Sequence, residues 1–239
     1  MADMEATARA RAEAMTDGSG PDKGKRGGKR TYHHGDLRNA LIVAATDLAR
    51  DGGPEAVVLR AAARRVGVSP TAAYRHFAGQ AELLHAVKEL GQQRLTESME
   101  AAGASLSARE PGPDGAEERV RALGRGYLAF ARAEPGLYRV AFCRDEFSME
   151  KLDGVIDPGE EDSWGFRSFG ILVQALDALV EHGRMTERRR AGAELTAWAT
   201  VHGLATMFLD GPLSQLTSEE IDAVAERAFD TLIAGFTTP

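Results

Sequence analysis

From Asp36 onward the chain alternates polar and apolar positions with a helical period. Leu37, Ala40, Leu41, Ala44, Ala45 and Leu48 recur at i, i+3, i+4, i+7, i+8 and i+11, one face of an α-helix, and Gly52-Gly53 ends the run. Leu59, Ala62, Ala63 and Val66 repeat the stripe over a shorter span that Gly67 closes. Ser69-Pro70 then reads as an N-cap followed by proline at the first helical position, opening a short third helix through about Phe77. Ala81, Leu84, Val87 and Leu90 begin a fourth, longer helix that runs past Met99.

Residues 103–115 (GASLSAREPGPDG) form the next break. Beyond it Val120, Leu123, Tyr127 and Phe130 mark a helix ended by Pro135. Phe166, Phe169, Leu172, Val173, Leu176, Leu179 and Val180 mark another, closed by Gly183. In the next, Leu195, Trp198, His202, Ala205 and Leu209 line one face while Val201, Leu204 and Phe208 line a second. A helix apolar on two faces must be covered on both. Thr217-Ser218-Glu219-Glu220 has capping-box spacing and opens a last helix through Ile221, Val224, Ala225, Ala228, Leu232 and Ile233. No internal repeat is present and no alternating run demands a sheet, so the expected fold class is all-α.

Composition narrows the classes of function. The 239 residues suffice for one large domain or two modest ones, and the single cysteine, Cys143, rules out an internal disulfide. The N-terminal MADMEATARA lacks the basic-then-apolar order of a signal peptide. Leu195 to Leu209 is too short to span a bilayer, so no membrane partner and a cytoplasmic location are expected. The net charge of −7 argues, taken alone, against nucleic acid. That average hides an asymmetry. Residues 23–76 carry eleven Lys/Arg against four Asp/Glu, a balance of +7, whereas residues 92–239 carry fifteen against twenty-five, a balance of −10. Residues 1–30 read as a disordered basic arm, since GSGPDKGKRGGKR has no apolar period to bury. Its Gly28-Lys29 pair is no phosphate-binding loop, because Lys23 and Arg30 occupy positions that need Gly and Ser/Thr.

The basic front contains the informative segment, Leu59 to Phe77 (LRAAARRVGVSPTAAYRHF). Two short helices joined by Gly67-Val68-Ser69 have the length and glycine placement of a helix-turn-helix. Small Ala63 lets the second helix cross closely, and Gly67 takes turn geometry that a side chain resists. The exposed start of the third helix is what enters a major groove. Pro70, Thr71, Ala72, Tyr74 and Arg75 are the candidates to touch DNA there. Arg75 matches the donor geometry for guanine O6 and N7, worth about 1–3 kcal/mol of base discrimination. Tyr74 and His76 suit phosphate oxygens, and Thr71 and Ala72 suit a thymine methyl. Phe77 reads as packing. Arg60, Arg64, Arg65 and the arm's Lys23, Lys25, Arg26, Lys29 and Arg30 surround the segment with charge.

On those residues the chain resembles a known family. Residues 35–91, above all GVSPTAAYRHF followed by AELL, look like the DNA-binding domain of TetR-type transcriptional regulators. The resemblance implies a disordered arm (1–30), a three-helix head (31–91) and a regulatory and dimerisation body (92–239) joined through the long fourth helix. It implies a homodimer whose heads bind successive major grooves of near-palindromic double-stranded DNA. Base and phosphate contacts then fall on Ser69 through Ala72, Tyr74, Arg75 and His76; beside them the charge of the segment itself makes Lys29, Arg30 and Arg60 further candidates to contact DNA. Three departures stand out: Val58 where Thr often caps the second helix, Ala73 where a larger aliphatic is usual, and Gln80 where Lys often reaches phosphate. In the rear half WATVHG, with Trp198, His202 and Gly203, and PGLYRVAF resemble the WHG subclass of TetR C-terminal domains. That subclass implies a ligand cavity among the middle helices and dimerisation through helices near 164–183 and 188–210.

The expected function is thus a repressor released from its operator by an apolar or mixed small-molecule effector. Tyr127, Phe130, Tyr138, Phe142, Phe169, Trp198 and His202 are the pocket candidates, with Leu137, Phe147, Phe166 and Met207 as further apolar lining. The alternative is a DNA-binding regulator without such an effector, controlled by a protein partner or by abundance. No G-x-S-x-G, H-E-x-x-H or dinucleotide glycine fingerprint occurs, so neither catalytic residues nor a cofactor are expected. With scattered histidines and no partner cysteine, no metal site is expected. The acidic stretch Asp145–Asp162 and the run Arg188-Arg189-Arg190 read as solvated.

Overall fold

The computed structural model describes residues 36–107, 112–143 and 164–237. The arm with Lys29 and Arg30, and the acidic stretch with Phe147, lie outside the described residues. Among them are ten α-helices and no strand: α1 (Leu37–Gly52), α2 (Leu59–Val66), α3 (Pro70–Ala73), α4 (Gln80–Ser107), α5 (Pro113–Ala133), α6 (Pro135–Ala141), α7 (Trp164–Glu181), α8 (Glu187–Arg190), α9 (Ala193–Leu209) and α10 (Ser218–Thr237). The fold is all-α, with a helix-turn-helix near the start and a helical body behind it. No helix is long and apolar enough to cross a membrane among the described residues.

The α1 stripe is buried as its period predicts, through Ala40, Leu41, Ala44 and Ala45, with Leu37 and Leu48 at the edges. Thr46 joins this buried face because its hydroxyl donates to the Ile42 carbonyl at 2.8 Å, which satisfies its polar atom. The third helix is shorter than expected. Regular α-helix stops at Ala73, and residues 74–77 continue as overlapping turns. The fourth extends further, to Ser107, so the break after it is narrower than residues 103–115.

α4 and α5 lie antiparallel, Ser98 facing Gly126 and Arg94 facing Glu134. Residue 126 must be small: a Cβ there would stand 2.6 Å from the Ser98 carbonyl oxygen. α10 is laid along α5 by a ladder of ion pairs, Arg121–Asp230 at 3.2 Å, Arg125–Glu226 at 2.6 Å and Arg132–Asp222 at 2.6 Å. Beneath it the Phe229 ring covers Gly124. The capping box at the start of α10 forms in both directions. Thr217 N–H donates to Glu220 Oε2 at 2.8 Å, and Glu220 N–H donates to Thr217 Oγ1 at 3.3 Å.

The arginine run of α8 is solvated only in part: Arg188 is exposed as expected, whereas Arg189 and Arg190 are half-buried. The Arg190 side chain is only 16% exposed, pairing with Asp177 of α7 and Glu194 of α9. Arg189 donates to the Gly235 carbonyl of α10. These arginines tie three helices together.

Candidate nucleic-acid interface and body cluster

The turn between α2 and α3 is set by hydrogen bonds local in sequence. Gly67 has φ +82°, and its N–H donates to Ala63 and Arg64 carbonyls while Val68 N–H donates to Ala63 at 3.0 Å. This satisfies the last carbonyls of α2 and turns the chain sharply. Ser69 Oγ accepts from Ala72 N–H at 3.2 Å, the N-cap of α3. Ala73 and Phe77 are buried and anchor the segment to the head's core.

The same periodicity turns Ser69, Pro70, Thr71, Tyr74, Arg75 and His76 outward, all exposed, with Ala72 half-buried. Tyr74 is 46% exposed, unusual for a large ring without a partner surface. Arg60 and Arg64 lie exposed on the neighbouring α2. Arg60, Arg64 and Arg75 form no ion pair with another described residue, whereas Arg65 is spent on Asp47 and Asp51, each at 3.7 Å. Since α3 is a single turn, its dipole is small and the chemistry rests on side chains. Val58 indeed offers α2 no side-chain cap. Arg38 of α1 is a residue that sequence reasoning missed: its guanidinium sits 5.0 Å over the Phe77 ring, bracing the recognition segment from behind. Its one sequence signal is a basic residue off the α1 apolar stripe.

In the body, five of the seven pocket candidates converge and a sixth adjoins them. The Tyr127, Tyr138, Phe142, Trp198 and His202 rings pack with centroids 4.8–6.4 Å apart. Phe169 meets Trp198 at 5.7 Å. The polar tips satisfy one another: Nδ1 of His202 is 2.8 Å from the Tyr127 hydroxyl and 3.0 Å from that of Tyr138. Burial pushes the Tyr127 and Tyr138 hydroxyls above the ordinary tyrosine range and holds His202 below the ordinary histidine value. Phe130 is not brought into this cluster. It lines an outer groove between α4 and α5 with Leu90, Ala133 and Glu134. Leu137 packs beside Gly91, and Met207 is 40% exposed.

A cavity of about 30 Å³ lies beside the cluster, lined by Leu123, Tyr127, Leu172, Trp198, Val201 and Phe229 among others. That is room for about two waters, against the ~300 Å³ or more that encloses a drug-sized ligand. No group of His, Cys, Asp and Glu fit to hold a metal occurs among the described residues.

Comparison with known proteins agrees with this architecture. Residues 41–87 match the model of bacterial regulatory proteins of the tetR family, and residues 120–232 that of the tetracyclin repressor-like C-terminal domain. Together these take in more than half of the chain. No curated protein matches the sequence. A protein of unknown function from Rhodococcus sp. RHA1 is 28% identical with a TM-score of 0.67, over 88% of this chain and 100% of that one. The TetR family transcriptional regulator PfmR from Thermus thermophilus is 18% identical, TM-score 0.56, over 84% and 98%. A bacterial regulatory protein in the tetR family from Rhodococcus RHA1 is 16% identical, TM-score 0.57, over 83% and 96%. The last two are likenesses of fold.

Proposed function

Because the chain belongs to the tetR family of bacterial regulatory proteins, DNA-binding regulators and not enzymes, we propose that it is a cytoplasmic repressor that holds a near-palindromic operator as a homodimer. A small molecule bound in the body releases it. Residues 31–91 read DNA and residues 92–239 sense and dimerise, the two sharing the continuous helix α4.

The observation that carries this reading is the division within the recognition segment. Its inward residues, Ala73 and Phe77, are buried, while Ser69, Thr71, Tyr74, Arg75 and His76 face out. Arg75 reads guanine. Tyr74, His76, Ser69 and Arg60 hold phosphates, together with Lys29 and Arg30 of the arm. Pro70, Thr71 and Ala72 let the bases approach. Dimerisation uses α7 and α9. On α9 Leu195 is 58% and Met207 40% exposed, with exposed Ala199 and half-buried Gly203 between them, an apolar stripe that the described residues of one chain leave uncovered.

The ligand site is the aromatic cluster of Tyr127, Tyr138, Phe142, Trp198 and His202 with the cavity beside it, which suits an apolar or mixed compound. At about 30 Å³ it must widen to admit one, so ligand binding selects a different body conformation. The same small cavity favours a second reading, a regulator controlled by a protein partner or by abundance. Native mass spectrometry of the purified protein separates the two: a bound small molecule whose addition weakens operator binding supports the first, and a bare dimer that no compound library releases supports the second.

A further inference from the structure

Among the described residues the head meets the body at several places, and two of them bear on its angle. One is α4. The other is a clasp at Glu134, the residue between α5 and α6. Its carboxylate accepts from Arg50 of α1 through Nε at 2.7 Å and Nη2 at 3.3 Å, and from Arg94 of α4 through Nη1 at 2.7 Å. Partial burial raises the Glu134 carboxyl, but the hydrogen bonds and charges of the two arginines outweigh it and hold the group below the usual carboxylate range. Arg50 also pairs with Asp47 at 3.0 Å, and Asp47 lies 3.7 Å from Arg65 on α2. The charged chain thus runs from the body to within two residues of the turn glycine Gly67.

Under the clasp the backbones meet. A Cβ on Gly136 would stand 2.2 Å from the Ala49 carbonyl oxygen and 2.6 Å from that of Arg50. Only glycine lets the first turn of α6 sit on the last turn of α1. A single helix is a lever that tilts; a second attachment, through the last turn of α1, fixes its angle. From Gln80 to Arg94 the helix rises about 21 Å, so a tilt of about 10° moves the recognition segment by about 4 Å, close to one base-pair step.

We propose that Glu134, clamped between Arg50 and Arg94 over the Gly136 seat, is a positioning residue that fixes the head angle and so the half-site spacing the dimer accepts. This rests on the operator-binding reading above. The clasp touches no base, so its loss alters which spacing is bound and leaves the sequence preference within a half-site intact. Among the described residues, Asp47 and Arg65 are linked to the Glu134 carboxylate through Arg50, so removing that carboxylate disconnects the charged chain and leaves the Gly136 seat in place.

The test uses the full-length protein. Sites are selected from random duplex DNA with the wild type, and binding is then measured on the selected site and on versions with one or two base pairs added or removed at its centre. Wild type should reject the respaced sites by about tenfold or more. Glu134→Ala should bring that ratio to about threefold or less, with the same base preference in each half-site and the same salt slope. Arg94→Gln, which leaves the Arg50 pair in place, should fall between, and it keeps the test open if Glu134→Ala melts the head. Unchanged spacing discrimination in both variants overturns the clasp while the regulator reading stands. A wild type that selects no two-fold site overturns that reading, and the clasp proposal with it.

Discussion

The hydroxyl of Tyr127 on α5 lies 2.8 Å from Nδ1 of His202 on α9, inside a ring of aromatic side chains. Burial holds His202 below the ordinary histidine value, so the fold favours its neutral form. The sign follows. The unfolded chain takes up this proton first, so stability from His202 is present at neutral pH. It is lost as pH falls from about 6.5 toward the lower native value. Ring resonances followed by NMR should titrate below about 6.5. A midpoint at or above that contradicts the buried neutral assignment, and His202→Gln should show a shallower loss of melting temperature over the same range.

Gly67 at φ +82° turns α2 toward α3, and nothing lies within 4 Å of where its Cβ would be. The cost of a side chain there is conformational alone. Gly67→Ala should destabilise by about 1–2 kcal/mol, and Gly67→Asn by less, since asparagine visits the left-handed region more readily. Denaturant melts of the two variants check the order. Equal losses would point to crowding instead.

Gly124 presents the opposite case. Its added Cβ would stand 2.7 Å from the Phe229 ring, so Gly124→Ala should push α10 from α5 and cost about 1–3 kcal/mol. Phe229→Leu in the same chain should recover part of that loss. A double variant no better than the sum of the singles would show that the two residues do not share the contact.

The head was the more readable half. The α1 stripe, the Gly67 turn, the Ser69 cap and the buried Phe77 all follow from short-range periodicity and cap chemistry, and the structure has each of them. So does the Thr217–Glu220 box. What the sequence concealed is tertiary. Pro135 is readable as the end of α5, but it also begins α6, which at seven residues is too short to show a period. Phe130 stands three residues after Tyr127, so helical spacing groups the two. α5 is packed on several sides, and a rotation of about 60° is enough to give them different neighbours. Glu134 and Arg50 are 84 positions apart, and no local pattern announces their pairing. Arg190 looks solvated in sequence because Asp177, thirteen positions back on α7, reaches it only through the fold, and the local partner Glu194 alone does not bury it.

The arm lies outside the described residues, but its five Lys/Arg between Lys23 and Arg30 make a prediction of their own. Deleting residues 1–30 should weaken operator binding and flatten its salt dependence, with a slope reduced by up to about 0.9 for each phosphate that the arm neutralises. Titrations at several salt concentrations check it. An unchanged slope means the arm does not touch DNA.

Selection of duplexes by the full-length protein from a random pool, followed by affinities for wild type and Arg75→Ala, decides whether the exposed face of the recognition segment reads sequence. The recognition surface of Ser69, Thr71, Tyr74, Arg75 and His76 should select a two-fold-symmetric site bound about 10³-fold or more above random DNA. Arg75→Ala should lose about 5- to 150-fold of the discrimination at one position in each half-site, the equivalent of one bidentate guanine contact. Equal affinity for all sequences, or none for any, would mean that this surface does not read DNA.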